Sequence, residues 1–258
     1  MKIVVCVKQV PDTAARVVVQ NGKVTWGDAP LVLNPWDEYA VEAALRLAES
    51  QAGGSEVIAL SLGMQDVNEA LKQALAMGCN QAFLISDPAW EQADSQMAAQ
   101  VLAAGLKKID GVVLAVFGRQ AVDGDSGILA AQTARSLAWP ILSLGSVAKL
   151  EDRKVMVERA VEEGRQATEA PLPAVISVVK DFGEPRYPSF MGIRKASRAE
   201  IPVWSMADLG LTATAPKVQW VEWLAPPSRE VTCEFIQGGS AQERAAALAD
   251  KILAEKVL

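Results

Sequence analysis

The sequence predicts an α/β protein, a doubly wound and mostly parallel sheet of the Rossmann-like kind followed by a C-terminal arm and helix. Short runs rich in valine, isoleucine and leucine recur at 3–7, 57–62, 82–85 and 112–117, each bounded by charged or turn residues, as strands buried on both faces should be. Between them, at 38–48, 67–76, 93–106 and 128–137, lie longer segments with helical spacing. Alternation of this kind lays successive strands side by side in a parallel sheet.

Taken in order, the first and second helices are each preceded by an acid suited to an N-cap, Asp37 before Glu38 and Asp66 before Val67. Gly53, Gly78 and Pro140 fall where helices should stop. Beyond Pro140 the stretches 141–150, 154–160 and 174–180 read as meandering strands that extend the same sheet. Glu158, Glu162, Glu163 and Glu169 mark a solvated strand-and-turn run between them. From residue 201 the composition shifts to Trp204, Trp220, Trp223 and the pair Pro226-Pro227, with little periodicity, as in an arm laid along a partner. It ends in an amphipathic helix, with Ala245, Leu248, Ala249, Ile252 and Leu253 at helical spacing on one stripe. The expected organisation is a nucleotide-binding domain over 1–200, which carries a loop at 184–196, and an arm over 201–258.

Composition excludes several classes. No run approaches the roughly 20 apolar residues of a membrane span, and the first strand regains charge at Lys8, too soon for a secretory signal. A cytoplasmic or equivalent location is expected, without direct membrane insertion. Cys6, Cys79 and Cys233 have no Cys-x-x-Cys spacing and read as buried thiols, not as a disulfide framework or zinc site. Asp110, Asp123 and Asp125 match no calcium loop, so no metal is assigned. Histidine is absent, which removes histidine-based triads and the usual general base. A net charge of −6 argues against nucleic acid as a partner.

The small-molecule candidate is Gly118, Arg119, Gln120, Ala121, Val122, Asp123, Gly124, Asp125, Ser126, Gly127, Ile128 and Leu129, which follows a buried strand and opens a helix. Open α/β sheets bind ligands there, beyond the carboxyl ends of the strands. Gly124 and Gly127 allow close backbone approach, and the amides of residues 126–129 could hold a phosphate at the helix start. Asp123 and Asp125 would repel that phosphate if they faced it, so they are assigned to the turn or to ribose and amide hydrogen bonds. Asn34, Pro35, Trp36 and Asp37 at a helix start, and Leu62 at a strand end, could converge on the same crevice.

A second candidate is a proline-broken loop whose exposed-type aromatics and cations suit a docking surface: Pro185, Arg186, Tyr187, Phe190, Met191, Ile193, Arg194 and Lys195. Its basic character points to an acidic protein partner. A pyrophosphatase-type ligase would need a Ser-Gly-Gly-x-Asp-Ser loop near the first strand, and none is present. A nucleotide-binding signalling module would leave the docking loop and the long arm without a purpose.

Val4-Val5-Cys6-Val7-Lys8-Gln9-Val10, Asn34-Pro35-Trp36-Asp37-Glu38-Tyr39-Ala40-Val41-Glu42 and Ala74-Leu75-Ala76-Met77-Gly78 together make the chain similar to the β subunits of electron transfer flavoproteins over nearly its whole length. The family's later pattern is carried by Val157-Glu158-Arg159, Glu162-Glu163-Gly164, Gln166 and Pro173-Ala174-Val175-Ile176-Ser177. Thr168 departs from it, standing where an aliphatic residue is usual. The resemblance implies a heterodimer whose α subunit holds most of the FAD, while this chain binds AMP. Its AMP contacts would be Cys6, residues 34–37, Leu62 and residues 118–129. Electrons would arrive from acyl-CoA or other flavin dehydrogenases and leave to a quinone oxidoreductase. Phe190 takes the place of the family's apolar docking anchor, with Lys195 among its cations. Such a chain is an electron carrier, not an enzyme, which fits the missing histidine. Ser126-Gly127-Ile128-Leu129 departs from the helix-start patterns of both family branches. Asp123-Gly124-Asp125 leans toward electron-bifurcating, NADH-oxidising members with a second FAD in place of AMP, and Glu184-Pro185-Arg186-Tyr187-Pro188 toward ordinary carriers. AMP is the reading taken, with the second FAD as the alternative.

Overall fold

A computed structural model of the chain describes residues 1–64, 68–89, 93–212, 215–225, 227 and 232–255. Asp66, Val67 and Pro226, singled out above, lie outside the described residues. The chain divides into a unit over 1–223 and a second over 224–258.

The first unit opens with β1 (Lys2–Val7), followed by β2 (Gln9–Pro11), β3 (Val18–Gln20), β4 (Lys23–Thr25) and β5 (Leu31–Leu33), which make two small antiparallel pairs, β2 with β5 and β3 with β4. Then come α1 (Pro35–Glu49), β6 (Glu56–Leu62), α2 (Asn68–Met77), β7 (Gln81–Ile85), α3 (Ser95–Lys108), β8 (Val112–Gly118) and α4 (Leu129–Leu137). These are the strands and helices that the alternation predicts. The chain continues through β9 (Ile141–Glu151), β10 (Lys154–Val161), β11 (Gly164–Pro171), β12 (Ala174–Val178), α5 (Phe190–Ala196) and β13 (Val203–Trp204).

Nine strands form one sheet in the order β11-β10-β9-β12-β8-β1-β6-β7-β13. Pairing is parallel from β9 to β13 and antiparallel where β10 and β11 extend the edge. The sheet therefore grows outward in both directions from β1, and the crevice between β1 and β8 is the point where the winding reverses. The pleat explains the apolar runs. Ile3, Val5 and Val7 of β1 enter a core with α1 and α2, while Val4 and Cys6 enter a second core with α3 and α4.

Three local expectations are corrected. Asp37 is not an N-cap: α1 begins with Pro35, the cap position falls on Asn34, and Asp37 is buried in the first turn. Proline needs no N–H partner at that position, which moves the start upstream of the acid. The span 184–196 is not wholly a loop. Ser189 Oγ accepts from Gly192 N at 2.9 Å and starts α5, so the cations Arg194 and Lys195 lie in its last turn. β11, absent from the expected strands, closes the glutamate-marked run into a hairpin with β10, and its residues other than Thr168 and Ala170 are exposed.

The second unit carries α6 (Ala241–Ala254), whose N-terminus is closed by a capping box between Ser240 and Glu243. Leu248, Ile252 and Leu253 on its apolar stripe are exposed, and so is Cys233, against the expectation of a buried thiol; Cys6 and Cys79 are buried. Among the described residues, no helix is long and apolar enough to cross a membrane.

Candidate functional site

Three chain segments meet at the carboxyl ends of β1 and β8. Asn34, fully buried, holds them together. Its backbone N–H donates to Lys8 O at 2.9 Å, its Nδ2 donates to Gln120 O at 2.9 Å, and its Oδ1 accepts from Val122 N at 3.2 Å. One amide side chain thus fixes the loop after β8 against the start of α1. Asp37 completes the junction, its Oδ2 accepting from Lys8 N at 2.8 Å. Gly118 is required at the end of β8, because a Cβ there would stand 2.5 Å from Asp37 Oδ1 and 2.6 Å from the backbone of Trp36.

Burial pushes the Asp37 carboxyl up to about 7, opposed by the Lys8 amide and by the charge on Lys8. Burial, aided by the Asp37 charge, drives the Cys6 thiol far above its ordinary range, so Cys6 is a neutral wall residue.

The junction borders a cleft of ≈ 270 Å³. Of the residues predicted from sequence, Cys6, Asn34, Asp37, Leu62, Gly118, Arg119, Gln120, Ala121, Asp123, Gly124, Asp125, Ser126, Gly127 and Leu129 line it. Pro35, Trp36, Val122 and Ile128 stand beside the cleft. Trp36 lies under the Arg119 guanidinium at 5.4 Å, and Ile128 takes the cap position of α4. The floor is apolar, with Leu62, Leu102, Phe117 and Leu129 on it.

Of the two acids at this cleft, Asp123 is paired with a cation and Asp125 is hydrogen-bonded to a neutral amide. Lys8 Nζ binds Asp123 Oδ2 at 2.6 Å and Oδ1 at 2.8 Å, and Asp125 Oδ1 accepts from Gln120 Nε2. Among the described residues the backbone N–H groups of Ser126, Gly127 and Ile128 donate to nothing, and open space surrounds the position of a Cβ on Gly124. The loop can therefore accept a phosphate or another anion through backbone N–H groups. An adenine-sized ring suits the apolar floor. Sequence reasoning missed Lys8, although a cation one residue past the first strand at the switch point is where such a ligand site would look for one.

The second candidate, 185–195, lies away from the cleft. Tyr187 is 94% and Phe190 80% exposed, and Met191 and Ile193 are also exposed. Arg194 and Lys195 are exposed and, among the described residues, form no ion pair. Arg186 differs, with its guanidinium bound inside the chain to Glu42 and Glu49. Pro185 is half-buried beside it.

Residues 26–209 match the electron transfer flavoprotein domain. The chain is 36% identical to the caffeyl-CoA reductase-Etf complex subunit CarD of Acetobacterium woodii over the whole of both chains. It is 33% identical to the electron transfer flavoprotein subunit beta of Megasphaera elsdenii, again over both whole chains. To the corresponding subunit of Bacillus subtilis it is 31% identical over 94% of each.

Proposed function

The chain belongs to the electron transfer flavoprotein β-subunit family, and from that membership we propose that it pairs with an α subunit to carry electrons from flavin dehydrogenases to a quinone oxidoreductase, with AMP bound in its cleft. The observation that carries the AMP reading is the loop after β8. Unused amides at Ser126, Gly127 and Ile128 lie beside an acidic pair already satisfied by Lys8 and Gln120. That arrangement suits a phosphate held by backbone dipoles. FAD, when bound mainly by the α subunit, supplies the redox chemistry. This chain's residues bind, orient and dock. Asn34 and Asp37 fix the cleft, and Tyr187, Phe190, Met191, Ile193, Arg194 and Lys195 present an apolar and basic surface to the dehydrogenase.

A second reading rests on the similarity to the CarD subunit and on Asp123-Gly124-Asp125. In it the chain serves a bifurcating, NADH-oxidising complex, and the cleft takes a second FAD. Co-purification with the α subunit, denaturation and nucleotide counting separate the two. One FAD with one AMP per heterodimer supports the carrier, and two FAD without AMP support the bifurcating complex.

A further inference from the structure

The docking surface proposed above is held at both ends by helices α1 and α2. Glu42 of α1 is only 3% exposed, yet it carries a full ion-pair cluster. Its Oε2 accepts from Arg186 Nε at 2.8 Å and Arg186 N at 3.1 Å, while its Oε1 accepts from Arg46 Nε at 2.5 Å. Glu49, two turns further along α1, takes the other edge of the same guanidinium, Nη1 at 2.6 Å and Nη2 at 3.0 Å. Arg46 in turn donates to the carbonyls of Phe182 and Glu184, at 3.4 Å and 3.2 Å. Upstream of Tyr187, both backbone and side chain are thus fixed to one helix face. Downstream, Gly192 sits against the carbonyl of Ala76 in α2, where any side chain would collide.

Between these two anchors lie Tyr187, Phe190 and Met191, which are exposed among the described residues. Large apolar side chains on an untethered loop would fold back against the body. The anchors prevent that, and a pre-ordered surface loses less conformational freedom when it binds.

We propose that Arg186 is a positioning residue for partner docking, holding the segment 187–191 outward through Glu42 and Glu49 without itself touching the partner. The inference rests on the docking reading of this segment. Arginine is specifically needed, because its planar fork engages both carboxylates at once, whereas lysine offers a point charge to one of them.

The test uses the purified heterodimer as electron acceptor for an acyl-CoA dehydrogenase reduced by butyryl-CoA, with Arg186→Lys, Phe190→Ala and the double variant. Lysine keeps a cation beside the buried Glu42, and Glu49→Gln gives a milder second variant should Arg186→Lys fail to fold. Arg186→Lys is expected to raise the KM for the heterodimer about tenfold with kcat and nucleotide content unchanged. The double variant should be no worse than the poorer single one, since both act through the same contact. Amide hydrogen exchange should quicken over 187–191 and not in β1 or β8. A normal KM in folded Arg186→Lys, or additive effects in the double variant, would overturn the positioning role while an elevated KM in Phe190→Ala kept the docking reading. A normal KM in Phe190→Ala would overturn the docking reading, and this inference with it.

Discussion

Lys8 Nζ lies 2.6 Å from Asp123 Oδ2, so an acid that would repel an anion in the cleft is instead paired across the β1–β8 crevice. Both groups are partly exposed, and a pair of that kind stabilises a fold by only about 0–1 kcal/mol. Its effect should appear in ligand binding. Lys8→Met is expected to leave the melting temperature of the heterodimer within a few degrees of wild type and to lower its nucleotide content. Adding Asp123→Asn should restore part of that content, because the unpaired charge is then gone. Nucleotide counted after denaturation, beside a melting curve, checks both statements.

Asn34 makes a larger structural contribution. Asn34→Ala strips the partners from Gln120 O and Val122 N, and losing the two bonds of this buried side chain costs about 2 kcal/mol. The expected result is a lower unfolding midpoint together with loss of nucleotide. A midpoint equal to wild type would show that the loop after β8 is held by something else.

Gly118 at the end of β8 and Gly124 in the loop after it should respond oppositely. Gly118→Ala drives a methyl group into Asp37 and the Trp36 backbone and should cost about 1–3 kcal/mol, whereas Gly124→Ala meets open space and should fold like the parent. Denaturant titrations of the two variants side by side give the comparison.

Asp37 makes the stability of the fold depend on pH. Its carboxyl holds a proton more tightly in the folded chain than in the unfolded one, because burial raises it from 3.8 to about 7. The contribution is therefore full below 3.8, declines as pH rises, and is lost once pH passes about 7. Asp37→Asn keeps an oxygen for the Lys8 amide and removes the ionisation. Relative to wild type, the variant should gain stability as pH is raised through that window, as read from melting temperatures. A constant difference across the window would show that Asp37 does not titrate there.

Helix α6 offers Leu248, Ile252 and Leu253 on an exposed stripe, which suits contact with the α subunit. Leu248→Glu should reduce recovery of the α subunit in pull-downs while α6 itself stays helical, since its capping box is untouched. Undiminished recovery would place the contact elsewhere.

The parallel body of the fold was legible from residues because its strands are buried on both faces, so that 3–7 and 112–117 stand out as apolar runs. β11 was not, since a hairpin edge open to solvent, with Arg165, Gln166 and Glu169 along it, carries little apolar signal. The cleft was found through its glycines and the helix start. Its internal charge balance was hidden, because Lys8 and Asp123 are distant in sequence and meet only through the β1–β8 pairing. Arg186 illustrates the same limit. Residue type and a proline-rich setting mark it as a surface cation, and only the packing of α1 reveals two carboxylates waiting for it.

Helix α1 contributes Asn34 at its cap and Asp37 in its first turn to the cleft, then Glu42, Arg46 and Glu49 to the anchor of the segment 182–186. Adding or deleting a single residue between Asp37 and Glu42 would rotate everything downstream by about 100° and swing all three anchoring side chains off their partners. The stretch also buries Ala40 and Val41 completely. Its length cannot vary, so α1 acts as a ruler that fixes the spacing between the cleft and the outward-facing segment.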